Sequence, residues 1–221
     1  MIRSPAVPYV LPFAIFLGFL ALRSVFPLPE LTDQILRLVV LTLVLILVAR
    51  PVIDLRVQRA GASILVGVAV FALWIAPDLL FPGYRHHWLF ENSITGSAKS
   101  TLAGDAQMQP AILILRTLRA VVIVPIVEEL FWRGWLMRWL IAADFRSVSL
   151  GAYTAQAFWV VAVLFASEHG AYWDVGLMAG IAYNWWMLRT RSLGDLILTH
   201  AVTNACLSAY VIVARKWEYW L

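Results

Sequence analysis

The chain is a succession of apolar runs whose lengths match a lipid bilayer. About 20 helical residues cross the hydrocarbon core. The sequence offers such runs at about 7–22, 31–49, 60–81, a longer stretch from 110 to about 143, then 150–169, 172–188 and 193–213. In the second run the charges Asp33 and Arg37 are confined to the first turns. Only 14% of the residues are charged and 62% are hydrophobic, whereas an ordinary soluble domain is about a quarter charged. Lipid forces a spanning segment to satisfy its own backbone hydrogen bonds, and the strand-length alternation of a β-barrel is absent. The expectation is therefore an all-α fold, a polytopic transmembrane helical bundle. It has seven membrane helices, or eight if the long fourth run divides, and Pro125 supplies a kink there. No polar block is long enough to fold by itself, so residues 1–221 read as one membrane-embedded domain. Its N-terminal spans lie within 7–81 and its motif-bearing core within 110–213.

The formal net charge is +4. The basic residues lie in short clusters between apolar runs, which sets membrane topology and gives no reason to invoke nucleic acid. Arg3, the Arg50–Arg59 loop, Arg133–Arg146 and Arg189–Arg191 alternate consistently as cytoplasmic, which turns residues 82–108 outward. Arg215 and Lys216 then fall on the outer side, against the rule. The first run lacks a small-residue cleavage site and reads as a retained span. These features predict a multi-pass protein of the cell (inner or cytoplasmic) membrane. The single Cys206 excludes an internal disulfide and, within an apolar run, reads as a small buried hydrophobe. No internal repeat is visible, which argues against an inverted-repeat transporter. Gly176, Ala179, Gly180 and Ala182 allow close helix packing. Trp88, Trp217 and Trp220 stand where interfacial anchors belong.

Against this background three polar motifs stand out, because ionisable groups are costly in a membrane. The first is Glu128-Glu129-Leu-Phe-Trp-Arg133. Adjacent helical residues diverge by about 100°, so the two carboxylates are expected to serve different partners. Glu129 and Arg133 are spaced as a favourable helical ion pair. That leaves Glu128 facing elsewhere, as a general base or acid. The plainer reading is one buried ion cluster that fixes helix contacts. The second motif is Phe165-Ala-Ser-Glu-His169, in which the Phe165 ring supports the imidazole; a lone histidine ending an apolar run also serves as a packing residue. Glu168 diverges from His169 and reads as interfacial. The third is His200-Ala-Val-Thr-Asn204, with both side chains on one helix face. Two donors held there suit an oxyanion hole or an interhelical polar clamp, which is worth only about 1 kcal/mol. Together they supply the parts for water attack on an amide. Glu128 is the base, His169 helps hold and polarise the water, and His200 and Asn204 hold the oxyanion.

In this order, Glu-Glu-x-x-x-Arg, Phe-x-x-x-His and His-x-x-x-Asn resemble the CPBP family of glutamic intramembrane proteases. That family includes the type II CAAX prenyl endopeptidases and the bacteriocin-processing and abortive-infection proteins. The resemblance covers roughly residues 110–213. It implies that Glu128 and His169 activate water, that His200 and Asn204 form the oxyanion hole, and that Glu129 and Arg133 support them. It implies peptide hydrolysis near the C-terminus of a membrane-associated or prenylated-like substrate, such as a C-terminal sorting or precursor peptide. No metal and no organic cofactor is implied. The wording Glu-Glu-Leu-Phe-Trp-Arg-Gly-Trp also resembles the subgroup found beside exosortase-type sorting systems. Asn184 is a further pocket candidate outside the motifs.

Two other functions compete. Two histidines and two glutamates could ligate zinc, although His-Glu-x-x-His is missing and asparagine is a poor zinc ligand. Buried acids and histidines also serve proton relays in transporters, or persist in a scaffold that keeps the fold. Adjacent His86 and His87 read as loop residues. A geometric tension remains. A full crossing between His169 and His200 would put them on opposite membrane faces, unless helices are short or tilted, or a water-filled cavity enters the membrane.

Overall fold

In the computed structural model, residues 1–3, 24, 103 and 221 are not described, so Arg3 of the basic pattern lies outside the described residues. The others form seven principal helices, and there is no β-strand among them. They are α1 (Val7–Leu22), α2 (Glu30–Val52), α3 (Ala60–Leu80), α4 (Pro110–Trp139), α5 (Ala155–Ser167), α6 (Trp173–Thr190) and α7 (Leu193–Ala214). Four of these, α2, α3, α4 and α7, are long and apolar enough to cross a membrane. The chain is an all-α, multi-pass membrane helical bundle.

The apolar runs predict the ends of α1, α3 and α7 to within a residue or two. The fourth run does not divide. It is one helix of 30 residues, interrupted by two π-helical segments at Arg119–Ile123 and Leu130–Leu136. The fifth run shortens instead. Its predicted helix over 150–169 is only Ala155–Ser167. Gly151 takes a positive φ of 70°, which glycine adopts without steric cost. Thr154 then caps the helix, its Oγ1 accepting from Ala157 N–H. At about 1.5 Å per residue, these 13 residues extend for only about 20 Å.

Helix α3 packs along α7, and α5 along α6. The first pair meets at Gly67, where a Cβ would come within 2.6 Å of the Thr199 carbonyl. The second meets at Gly180, against the Ala162 backbone. The close packing expected of the small residues in α6 is present here. On the opposite side α3 exposes Ile64, Leu65, Val68 and Leu73, an aliphatic face suited to lipid. The N-terminus of α7 is tied to the 53–59 loop. Ser192 caps the helix, and Asp195 Oδ1 accepts the N–H groups of Gln58 and Arg59. These ties fix how far α7 runs before His200 is reached.

Candidate active site

Glu129 and Arg133 are fully buried and lie one turn apart on α4. Arg133 Nη1 donates to both carboxylate oxygens of Glu129, at 3.1 and 3.0 Å. Its Nε donates to Asn184 Oδ1 at 2.8 Å, and Nη2 to the Gly180 carbonyl at 3.2 Å. The guanidinium also faces the rings of Phe165 and Tyr183. Asn184 completes the chain by donating to the Phe158 carbonyl of α5. One arginine thus joins α4, α5 and α6, and its charge is matched by a carboxylate with no room to move. Asn184, expected as a pocket residue, does not line the cavity and holds Arg133 in place.

Glu129 has a third partner. His200 Nδ1 lies 2.8 Å from Glu129 Oε1. A carboxylate already held by an arginine accepts, so Nδ1 carries the hydrogen. The other ring nitrogen, Nε2, lies 4.0 Å from Glu128 Oε2. The expectation that neighbouring glutamates must serve different partners is therefore corrected. They approach one imidazole at its two nitrogens, which the ring presents on different edges and which flexible glutamate side chains can both reach.

Glu128 Oε2 is buried and accepts no hydrogen bond. It borders a cavity of about 320 Å³ that is also lined by His169, His200, Asn204 and Phe165. The structure thus brings the side chains of all three motifs to one site. His169 Nδ1 donates to the Phe165 carbonyl at 2.8 Å, and the Phe165 ring lies 4.8 Å from the imidazole. With Nδ1 committed, Nε2 is left with its lone pair. Trp74 packs edge-on at 5.1 Å, and Gly176 leaves space for the ring, since a Cβ there would sit 3.0 Å from Nδ1.

Asn204 Nδ2 donates to the Ala120 carbonyl at 2.8 Å. Why that carbonyl is free follows from the sequence. In the first π segment of α4, Val124 N–H reaches back five residues to the Arg119 carbonyl. The next donor in that register is Pro125, which has no N–H. Ala120 is left without its helical partner, and Asn204 supplies the missing donor from α7. The amide nitrogen has a second hydrogen, and the residue lines the cavity.

The tension over depth is relieved by the short α5. His169 lies in the bend that follows it, and α7 has made two turns by His200. Both imidazoles contact one ring, with Phe165 at 4.8 Å from His169 and 6.2 Å from His200.

Other residues depart from expectation. Glu168 lines the same cavity. It caps α5 where the helix ends, so regular helical angles do not apply. Trp220 is buried against Arg116 at the cavity, with its ring 5.1 Å from the guanidinium, and does not act as an exposed anchor. Trp88 is 70% exposed, as an anchor should be. Cys206 is free and half-buried, less enclosed than expected. His86 pairs with Glu91 in the outer loop. Arg116 and Arg119 also line the cavity, and their signal was available in two arginines three residues apart within an apolar run.

The comparison with protein families agrees with the motifs. Residues 110–206 match the family described as type II CAAX prenyl endopeptidase Rce1-like. The match begins with α4 and includes every motif residue. No curated protein and no solved structure matches the chain. The match supports a protease, and the apolar helices make it a membrane-embedded one. The family resemblance carried by the three motifs is thereby shown for the region that holds them: residues 110–206 are similar to the Rce1-like type II CAAX prenyl endopeptidases of the CPBP family.

Proposed function

We propose that this chain is a glutamate-dependent intramembrane endopeptidase, acting as one unit over residues 1–221. It hydrolyses a peptide bond near the C-terminus of a membrane-associated substrate, such as a sorting or precursor peptide. The observation that carries this reading is the shared cavity, where an unbonded Glu128 oxygen lies among His169, His200 and Asn204. A buried acceptor without a partner is costly, and an incoming water is the partner it lacks.

In the first step the oxygen of that water bonds to the scissile carbonyl carbon. Its proton passes to Glu128, and His169 Nε2 orients the water through its lone pair. The carbonyl oxygen gains the negative charge. It is held by Asn204 Nδ2–H and by His200 Nε2–H, donors that matter most when the charge is formed. His200 must then carry hydrogens on both nitrogens, and Glu129 is its counter-ion. With both glutamates ionised, Arg133 and His200 balance them, as buried charges require. Collapse of the tetrahedral intermediate breaks the C–N bond, and Glu128 returns its proton to the leaving amine. Phe165 supports this arrangement by holding His169 through its carbonyl and its ring. No step needs a metal ion or an organic cofactor. In the positive-inside orientation, the cavity lies on the outer-loop side of Glu128, within the cytoplasmic membrane.

The test compares native membranes holding the wild type with those holding Glu128→Gln, by mass spectrometry of peptide C-termini, with and without a strong chelator. Termini lost in the variant and retained under chelator are expected, and they name the substrate. Loss under chelator would transfer the reading to a metalloprotease. Identical termini in both membranes, with a solute flux that depends on Glu128, would transfer it to a transporter.

A further inference from the structure

The cavity has a second polar end. Arg116 and Arg119 line it from α4, one turn apart, opposite Phe16, Leu17 and Leu20 of α1. Both are more than nine-tenths buried, at 6% and 8% exposure. Arg116 is fixed, since its Nη2 donates to Thr101 Oγ1 at 3.1 Å and Trp220 covers its face. Arg119 differs. Its Nε is buried without a hydrogen-bond partner, and it forms no ion pair among the described residues.

Among the described residues no carboxylate pairs with it directly. Arg23 and Arg37 act on both Arg116 and Arg119 as like charges, and Glu30 and Asp33 are the principal charges that oppose them. Glu30 is engaged by Arg23 and Gln34, and Asp33 pairs with Arg37 through Oδ1, while its Oδ2 accepts no hydrogen bond among the described residues, Arg119 included. A buried cation without a counter-charge is strongly disfavoured. The acids that share the cavity, Glu128 and Glu168, belong to its motif-bearing part. An arginine fork pairs best with a carboxylate or a phosphate.

We infer that Arg119, beside the fixed Arg116, forms an anion subsite that receives the free C-terminal carboxylate of a peptide whose scissile bond lies at Glu128. The inference rests on the hydrolytic reading above and adds how the substrate's end is recognised. Arg119 and Glu128 are nine positions apart on one helix, about 13 Å at the usual rise per residue. An extended chain of about four residues covers that distance. Apolar side chains suit the wall of Phe16, Leu17 and Leu20. The subsite thus selects chain ends and sets the length of the fragment released.

The experiment measures binding of an acetylated tetrapeptide of apolar residues to the purified full chain in detergent. The peptide is supplied as the free acid and as the C-terminal amide. Wild type and Glu128→Gln are both tested, so binding is read where cleavage is disabled. Charge-assisted hydrogen bonds predict that the acid binds about tenfold or more tightly than the amide to both proteins. Arg119→Gln should erase the difference and Arg119→Lys should keep part of it. Equal binding of acid and amide to wild type overturns the inference without any variant. So does an acid preference that survives Arg119→Gln. A third arm places the protein in nanodiscs of phosphatidylcholine, with and without phosphatidylglycerol. Loss of the acid preference in the anionic discs would assign the subsite to a lipid headgroup and overturn it too. An acid preference in a protein that cleaves nothing would sink the hydrolytic reading and keep the subsite. Cleavage without that preference would do the reverse.

Discussion

Two sides of one polar cluster behave differently, although their glutamates are adjacent in sequence. On the sealed side, both oxygens of Glu129 accept hydrogen bonds from Arg133, and Oε1 also faces His200. On the open side, Glu128 Oε2 accepts none and borders a cavity. A satisfied buried network rigidifies, whereas a partly satisfied one costs stability. The contrast teaches where each cost is tolerated. The sealed side holds three helices in register, and the open side keeps an acceptor free, which the proposed hydrolysis assigns to water.

The sharpest way to break this comparison is to remove the sealed carboxylate. Glu129→Ala leaves Arg133 buried and unpaired, so a loss of about 3–5 kcal/mol in stability is expected, with all activity. Thermal unfolding in detergent measures it. Combining Glu129→Leu with Arg133→Met should recover most of the stability and none of the activity, because His200 loses its counter-ion. A fully active double variant would show that the sealed side does nothing for chemistry. Glu128→Gln should do the opposite. Removing the proposed general base should cost about 10²–10⁴ in rate, while the unfolding temperature stays near that of the wild type. If this variant unfolds as readily as Glu129→Ala, the two sides are not distinct. Asn204→Ala should lie between them. It removes one proposed oxyanion donor, an expected loss of about 10²–10³ in rate. It also strips the Ala120 carbonyl of its partner, about 1 kcal/mol of stability. Turnover and unfolding measured on the same preparation test both parts.

Much of this architecture can be read from the residues because lipid restricts the choices. Apolar length alone locates α3 and α7, since a spanning segment can only be a helix of sufficient length, and the shorter apolar run of α1 locates that helix too. The motif side chains were legible for a related reason, since a carboxylate or an imidazole in such a segment is costly unless used. What regular helical geometry missed lies where the helix is irregular. Glu128 and Glu129 meet at His200 beside a π segment. Glu168 enters the cavity because α5 stops one residue earlier. Trp220 departs from the anchor pattern because its environment is made by a chain-distant arginine. Arg116 and Arg119 stood out as two arginines within an apolar run, but the chain-distant partners that share their cavity are encoded in no local spacing.

Pro125 offers the finest adjustment of the comparison, because it links the backbone of α4 to the open side. Its missing N–H leaves the Ala120 carbonyl for Asn204 to fill. Pro125→Ala restores a donor within the helix. The new N–H competes for that carbonyl, and the helix gains about 1 kcal/mol from one more hydrogen bond. Asn204, no longer tethered, loses part of its orientation toward the oxyanion. A higher unfolding temperature is expected, with turnover reduced by less than about tenfold, the smallest of these effects because the donor itself is still present. Turnover measured for Pro125→Ala, Asn204→Ala and the double variant separates positioning from structure. If Pro125 acts by placing Asn204, its effect disappears once Asn204 is alanine. An undiminished effect in the double variant would mean that Pro125 shapes α4 alone, and that the tether to Ala120 plays no part in readying the open side.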